Sequence, residues 1–78
     1  TPREVKLLRL FASREGEALD RSLILEQVWG VRYEGTTRTL DQHIAKLRQK
    51  IEDDPSKPRF IQTVYSLGYR FHSGSGTG

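Results

Sequence analysis

Residues 37–51, T-R-T-L-D-Q-H-I-A-K-L-R-Q-K-I, constrain the fold more than any other stretch of the chain. Leu40, Ile44, Leu47 and Ile51 recur at i, i+4, i+7 and i+11, which lines one face of an α-helix and cannot line one face of a strand. That face has to be buried. At roughly 100° per residue, the opposite side carries Arg38, Gln42, Ala45, Lys46 and Gln49. Thr39, His43 and Lys50 fall on one flank of it, Asp41 and Arg48 on the other. Arg38, Lys46, Arg48 and Lys50 against Asp41 give the segment +3, equal to the net charge of the whole chain. A helix with cations at its edges and amides along its crest fits a DNA major groove, about 12 Å wide, with the cations at phosphates and the crest at base edges. Taken alone, the segment is equally compatible with a solvated amphipathic helix, because charged helix faces are common.

The rest of the chain narrows the choice. Its 78 residues provide for one small core and no second one. The absence of cysteine removes disulfide and thiolate-metal chemistry and fits a reducing compartment. No run approaches 18 apolar residues and the start has no signal-peptide pattern, so a cytoplasmic protein without a membrane partner is expected. The pI near 9.6 favours polyanionic partners, but +3 is modest, so base contacts or dimerisation would have to supplement charge.

Thr1-Pro2-Arg3-Glu4 reads as a helix start, with Thr1 as cap, Pro2 where no N–H is needed and Glu4 closing a capping box. Val5, Leu8 and Ala12, with Leu7 and Phe11 beside them, predict an apolar stripe reaching about Arg14, with Gly16 as terminator. This first helix reads as scaffold. Residues 17–19 form a candidate short strand. Asp20 is the expected cap of a second helix over residues 21–29, whose Leu23, Leu25, Val28 and Trp29 are too large for a free surface, and Gly30 stops it. Trp29 reads as a core residue whose indole N–H can still reach a phosphate from the helix end. Residues 31–36 form a loop carrying Arg32, Tyr33 and Glu34, suited either to protein contact or to solvation. Thr37 is the expected cap of the third helix.

After Ile51, Asp53 and Asp54 oppose the negative helix end and Pro55 and Pro58 forbid continuation. The Glu-Asp-Asp cluster reads as a solvated turn; without histidine or a further carboxylate at ligand spacing, no metal site is expected. Residues 59–63 and 69–72 alternate aromatic and β-branched residues around 64–68, which predicts a hairpin with Gly68 supplying freedom for the turn. Three helices followed by a hairpin is the winged helix-turn-helix plan, an α+β fold with the hairpin as a wing beside the groove. Residues 73–78, S-G-S-G-T-G, have nothing to pack and are expected to be disordered, leaving 1–72 as the domain. No Ser, Cys or carboxylate stands in a nucleophile context, and His43 and His72 lack a carboxylate partner at motif spacing, so neither an enzyme nor a cofactor is expected.

Four collinear motifs, T-P-R-E-V-K-L-L, L-I-L-E-Q-V-W-G, R-T-L-D-Q-H-I-A-K-L-R-Q-K-I and P-R-F-I-Q-T-V-Y-S-L-G-Y-R-F, resemble the OmpR/PhoB-type effector domain of bacterial two-component response regulators, over residues 1 to about 72. The resemblance implies a transcription factor domain binding direct-repeat double-stranded DNA as a head-to-tail dimer, the output of a phosphorelay through a receiver domain and a sensor kinase. It implies that Gln42 and Lys46 read bases, and that Trp29, Arg38, Thr39, His43, Arg48, Lys50, Thr63, Tyr65 and Tyr69 touch the DNA backbone. It also makes Arg32, Tyr33 and Glu34 part of a loop that in some members contacts RNA polymerase. Family members usually begin this domain with a four-stranded antiparallel sheet, whereas the sequence given starts at the first helix, which leaves open that it is a fragment or that the sheet is lost. Tyr65 and Ser66 replace the Arg and first Gly of the common wing T-V-R-G-x-G-Y, and Ala45 stands where some members have a basic residue. The competing expectation is a winged helix used as a protein-interaction module without specific DNA binding.

Overall fold

The computed structural model describes residues 2–31, 33 and 35–73. The cap expected of Thr1 and the disorder expected of residues 74–78 lie outside the described residues, as do Arg32 and Glu34. Helix α1 spans Pro2–Ser13, strand β1 Ala18–Asp20, helix α2 Arg21–Trp29, helix α3 Thr37–Ile51, strand β2 Ile61–Val64 and strand β3 Gly68–Phe71. The strands form one antiparallel sheet in the order β1-β3-β2. The wing is therefore more than the expected hairpin. Strand β3 lies at the centre, pairing Tyr69 with Leu19 on one side and with Thr63 on the other.

Helix α1 buries Glu4, Leu7 and Phe11, whereas Val5 and Ala12 of the expected stripe are exposed and Leu8 is half-buried. The helix turns to place Phe11, its largest apolar side chain, in the core, where the ring stacks on Phe71 with centroids 5.9 Å apart. Its end is tied to the sheet by the Gly16 N–H, which donates to the Phe71 carbonyl at 2.9 Å.

Asp20 caps α2 as expected, its side chain accepting the Ser22 N–H at 2.7 Å, and Gly30 closes the helix at φ +110. The cap of α3 is Thr36 and not Thr37. Thr36 keeps the extended backbone a cap requires and its hydroxyl accepts the Arg38 N–H at 3.3 Å, while Thr37 is already helical. Leu40, Ile44 and Leu47 of α3 meet Ile24, Leu25 and Val28 of α2 and Ile61 of β2 in one core. Burying each large aliphatic side chain contributes about 1.5–3 kcal/mol.

Glu52 departs from its sequence reading. Asp54 does make the expected turn, accepting the Ser56 N–H and hydroxyl at 3.0 and 2.7 Å. Glu52, in contrast, is only 7% exposed. As the C-cap of α3 it donates its N–H to the Arg48 carbonyl, and its carboxylate accepts the backbone N–H groups of Arg59, Phe60 and Ile61 at 2.7–3.1 Å. These three groups cannot satisfy one another on entry to a strand, so the carboxylate supplies the acceptors. Burial pushes the Glu52 carboxyl up, but the three N–H donors outweigh it and hold the group below the usual carboxylate range.

The wing turn carries the one described non-glycine residue with positive φ, Ser66 at φ +69, where the Leu67 N–H donates to the Val64 carbonyl at 3.0 Å. Gly68 has a different job from the one expected. It stands opposite Asp20 and Val64 in the sheet, and a Cβ there would lie 2.1 Å from the Leu19 carbonyl oxygen and 2.9 Å from the Arg21 nitrogen. Close approach of backbone to backbone, and not turn freedom, requires glycine at this position.

Two outcomes are expected in chemical denaturation. Glu52→Gln puts an amide donor against the three backbone donors and destabilises by about 2–3 kcal/mol at neutral pH. Because the folded-state carboxyl titrates below its ordinary value of 4.5, the stabilisation is complete above that pH and is lost as pH falls below it, so the gap between the two proteins closes on acidification. A pH-independent gap would contradict this. At the wing, Ser66→Gly stabilises by about 0.5–1 kcal/mol, whereas Gly68→Ala destabilises by about 2 kcal/mol or more. Equal signs for the two would refute the division of roles.

Candidate nucleic-acid interface

The crest foreseen for α3 is solvent-facing: Arg38, Gln42, Ala45, Lys46 and Gln49 are all exposed, with Thr39 half-buried at its shoulder. The buried line Leu40, Ile44 and Leu47 holds the helix by its opposite side, so the crest protrudes from the body. The two flanks separated by the helical spacing meet different neighbours.

The flank with Asp41 and Arg48 faces the sheet. The Arg48 Nε and Nη2 donate to the Ile61 carbonyl at 3.1 and 2.8 Å, and Nη2 also to the Thr63 hydroxyl at 2.9 Å. Its guanidinium lies over the Tyr69 ring at 5.4 Å, with Arg21 5.7 Å from the same ring. The Tyr69 hydroxyl donates to the Asp41 carboxylate at 2.5 Å, and Arg21 donates to the same oxygen at 3.1 Å. Burial and the Asp41 charge push the Tyr69 hydroxyl up to about 12, so it stays a donor at any physiological pH. Arg48 and Tyr69, both expected at the DNA backbone, thus have Nε and Nη2 of the one and the hydroxyl of the other bonded within the fold. Tyr69 is only 4% exposed.

The flank with Thr39, His43 and Lys50 faces α1 and the end of α2. Trp29 is half-buried, with the His43 ring edge-on at 5.0 Å and the Arg3 guanidinium 4.9 Å from its centroid. Arg3 also donates to the Val28 carbonyl at 2.8 Å. The His43 Nδ1 lies 2.9 Å from the Thr39 carbonyl. A carbonyl only accepts, so Nδ1 carries the hydrogen in this contact. The Lys50 ammonium, a third residue expected at the DNA backbone, is 2.8 Å from the Glu4 carboxylate. That contact holds the Glu4 carboxyl down at about 2.

At the wing tip Tyr65 is 88% exposed, while Thr63 is half-buried beside Arg48. In the loop ahead of α3, Val31 is 77% exposed, and the Tyr33 ring sits 6.1 Å from Trp29 with its hydroxyl donating to the Thr36 carbonyl. Arg3 and Lys6, read in the sequence as parts of a scaffold helix, line a cleft with His43. Their position was hidden because nothing local reveals which way α1 is turned. No described helix is long and apolar enough to cross a membrane.

Comparison with known proteins gives this geometry a context. The family described as "Transcriptional regulatory protein, C terminal" matches residues 1–71. The sensory transduction protein RegX3 of Mycobacterium leprae is 44% identical over 71 residues, covering 91% of this chain and 36% of its own length. The DNA-binding domain of Bacillus subtilis CssR superimposes with a TM-score of 0.80 at 36% identity, over 92% of this chain and 76% of that one. The Klebsiella pneumoniae RstA DNA-binding domain, solved in complex with the RstA box, gives a TM-score of 0.80 at 34% identity, over 91% of this chain and 70% of that one. The chain spans between 27% and 36% of the length of such curated relatives.

Proposed function

The chain belongs to the OmpR/PhoB-type family of transcriptional regulatory C-terminal domains, and from that premise we propose that it binds specific DNA by laying α3 in the major groove with the β2–β3 wing alongside. It is a DNA-binding domain of the response-regulator class, and the finer reading rests on the exposed crest of α3. Gln42 offers both a donor and an acceptor to a base edge, and Lys46 a charged donor to a guanine. Arg38, Thr39, His43 and Trp29 stand at the phosphates on one side, Thr63 and the exposed Tyr65 on the other. Arg48 and Tyr69 serve the same interface by fixing the wing against α3, and Lys50 serves it through Glu4.

In the full-length protein a receiver domain and its sensor kinase would control this domain, which would occupy direct repeats as a head-to-tail dimer. The loop of residues 31–36, with Val31 exposed, is suited to contact RNA polymerase.

Selection from a random duplex library tests the reading. The chain should enrich a site built of half-sites about one helical turn apart. Lys46→Ala should weaken binding to that site by about 1–3 kcal/mol and relax preference at one base position. Unchanged selectivity would remove Lys46 as a reader, and a folded chain that enriches nothing would favour a protein-interaction module.

A further inference from the structure

We propose that the first two turns of α1 form a second phosphate-gripping edge of the DNA interface, with Lys6 as the contacting side chain and Arg3 as the residue that shapes it. This inference rests on the DNA-binding reading and goes beyond it, because it assigns binding to a helix that otherwise serves as scaffold.

Three observations carry it. Pro2, Arg3 and Lys6 line a cleft whose far wall is His43, and His43 also borders the adjoining cleft with Glu4, Lys46 and Lys50. The flank of α3 turned away from the wing is thus walled by α1. The charge there is strongly one-sided: Arg3, Lys6, Lys46 and Lys50 stand against the single carboxylate of Glu4, which is engaged by the Lys50 ammonium at 2.8 Å. The scaffold of the edge is also set in advance. Arg3 is anchored on the Val28 carbonyl and stacked on Trp29, and Trp29 in turn holds His43 edge-on. Lys6, one turn along α1 from Arg3 and exposed, projects from this ladder into the cleft.

The geometry explains why such an edge is useful. A helix lying in the major groove has a sugar-phosphate wall on each side. The wing flank meets one wall, but its arginine is bonded to Ile61 and Thr63 and its tip carries Tyr65 in place of a cation. An exposed lysine, Lys6, stands on the opposite flank, at α1. A lysine suits this position because a flexible ammonium follows a phosphate without demanding bidentate geometry.

The test measures affinity against salt concentration for the chain, Lys6→Ala, Lys6→Glu and Arg14→Ala, each on the selected site and on a scrambled duplex. Arg14 stands just past the end of α1, eight residues after Lys6 and outside the cleft lining, so its substitution alters net charge as Lys6→Ala does but leaves the cleft intact. Lys6→Ala should lower the salt slope by about 0.9 and weaken both duplexes by the same factor, Lys6→Glu should weaken them further, and Arg14→Ala should leave the slope as it was. If both Lys6 variants keep the parent slope, or if Arg14→Ala matches Lys6→Ala, the α1 edge is overturned while the α3 reading stands. If the parent chain prefers neither duplex, the α3 reading fails by itself, and the Lys6 slope still reports whether α1 grips phosphate.

Discussion

The carboxylate of Glu52 is the point on which the arrangement of α3 and the wing depends. A single side chain at the end of α3 accepts the N–H groups of three successive residues that lead into β2. Arg48, one turn earlier, reaches the Ile61 carbonyl and the Thr63 hydroxyl. An anion thus receives donors and a cation serves acceptors on the same short length of chain, so the start of β2 is held from both sides of its backbone. The segment between them need supply no structure beyond the Asp54 turn. Charged hydrogen bonds of this kind, sheltered from water, are about twice as strong as neutral ones. They fix the distance between α3 and the wing.

This anchoring divides the basic residues into two classes. Arg48 and Arg21 enclose the Tyr69 ring and, with Asp41, join α2, α3 and β3. Lys50 joins α3 to α1 through Glu4. These cations hold the domain in one shape. Arg38, Lys46 and Lys6 remain exposed on the surface, where a polyanion can meet them. The modest net charge of +3 therefore understates how selectively charge is placed.

Much of this was legible in the sequence. The period of Leu40, Ile44 and Leu47 gave the orientation of α3, because a face built of large aliphatic residues has only one place to go. Asp20 and Gly30 bounded α2 through chemistry local to each end. What was not legible depended on partners distant in the chain. Glu52 looked like one of three acids before a proline, since nothing nearby shows that residues 59–61 return to it. Gly68 looked like a turn glycine, and only the approach of β1 reveals the backbone it must admit. The bonds that Arg48 makes to Ile61 and Thr63, and Tyr69 to Asp41, also join residues distant in the chain and are not written in any local pattern. The rotation of α1, and with it the position of Lys6, was decided by the Phe11–Phe71 stack across the whole length of the chain.

The most direct test of the central claim is a nuclear magnetic resonance titration of the isotopically labelled chain with a duplex carrying its selected site, following every backbone and side-chain amide. The account predicts that Gln42, Ala45 and Lys46 on the crest and Tyr65 at the wing tip shift together along one binding curve, with the Gln42 side-chain amide among the largest changes. Shifts confined to the α2 end and residues 31–36, with the crest of α3 unmoved, would contradict it and make that loop the binding surface.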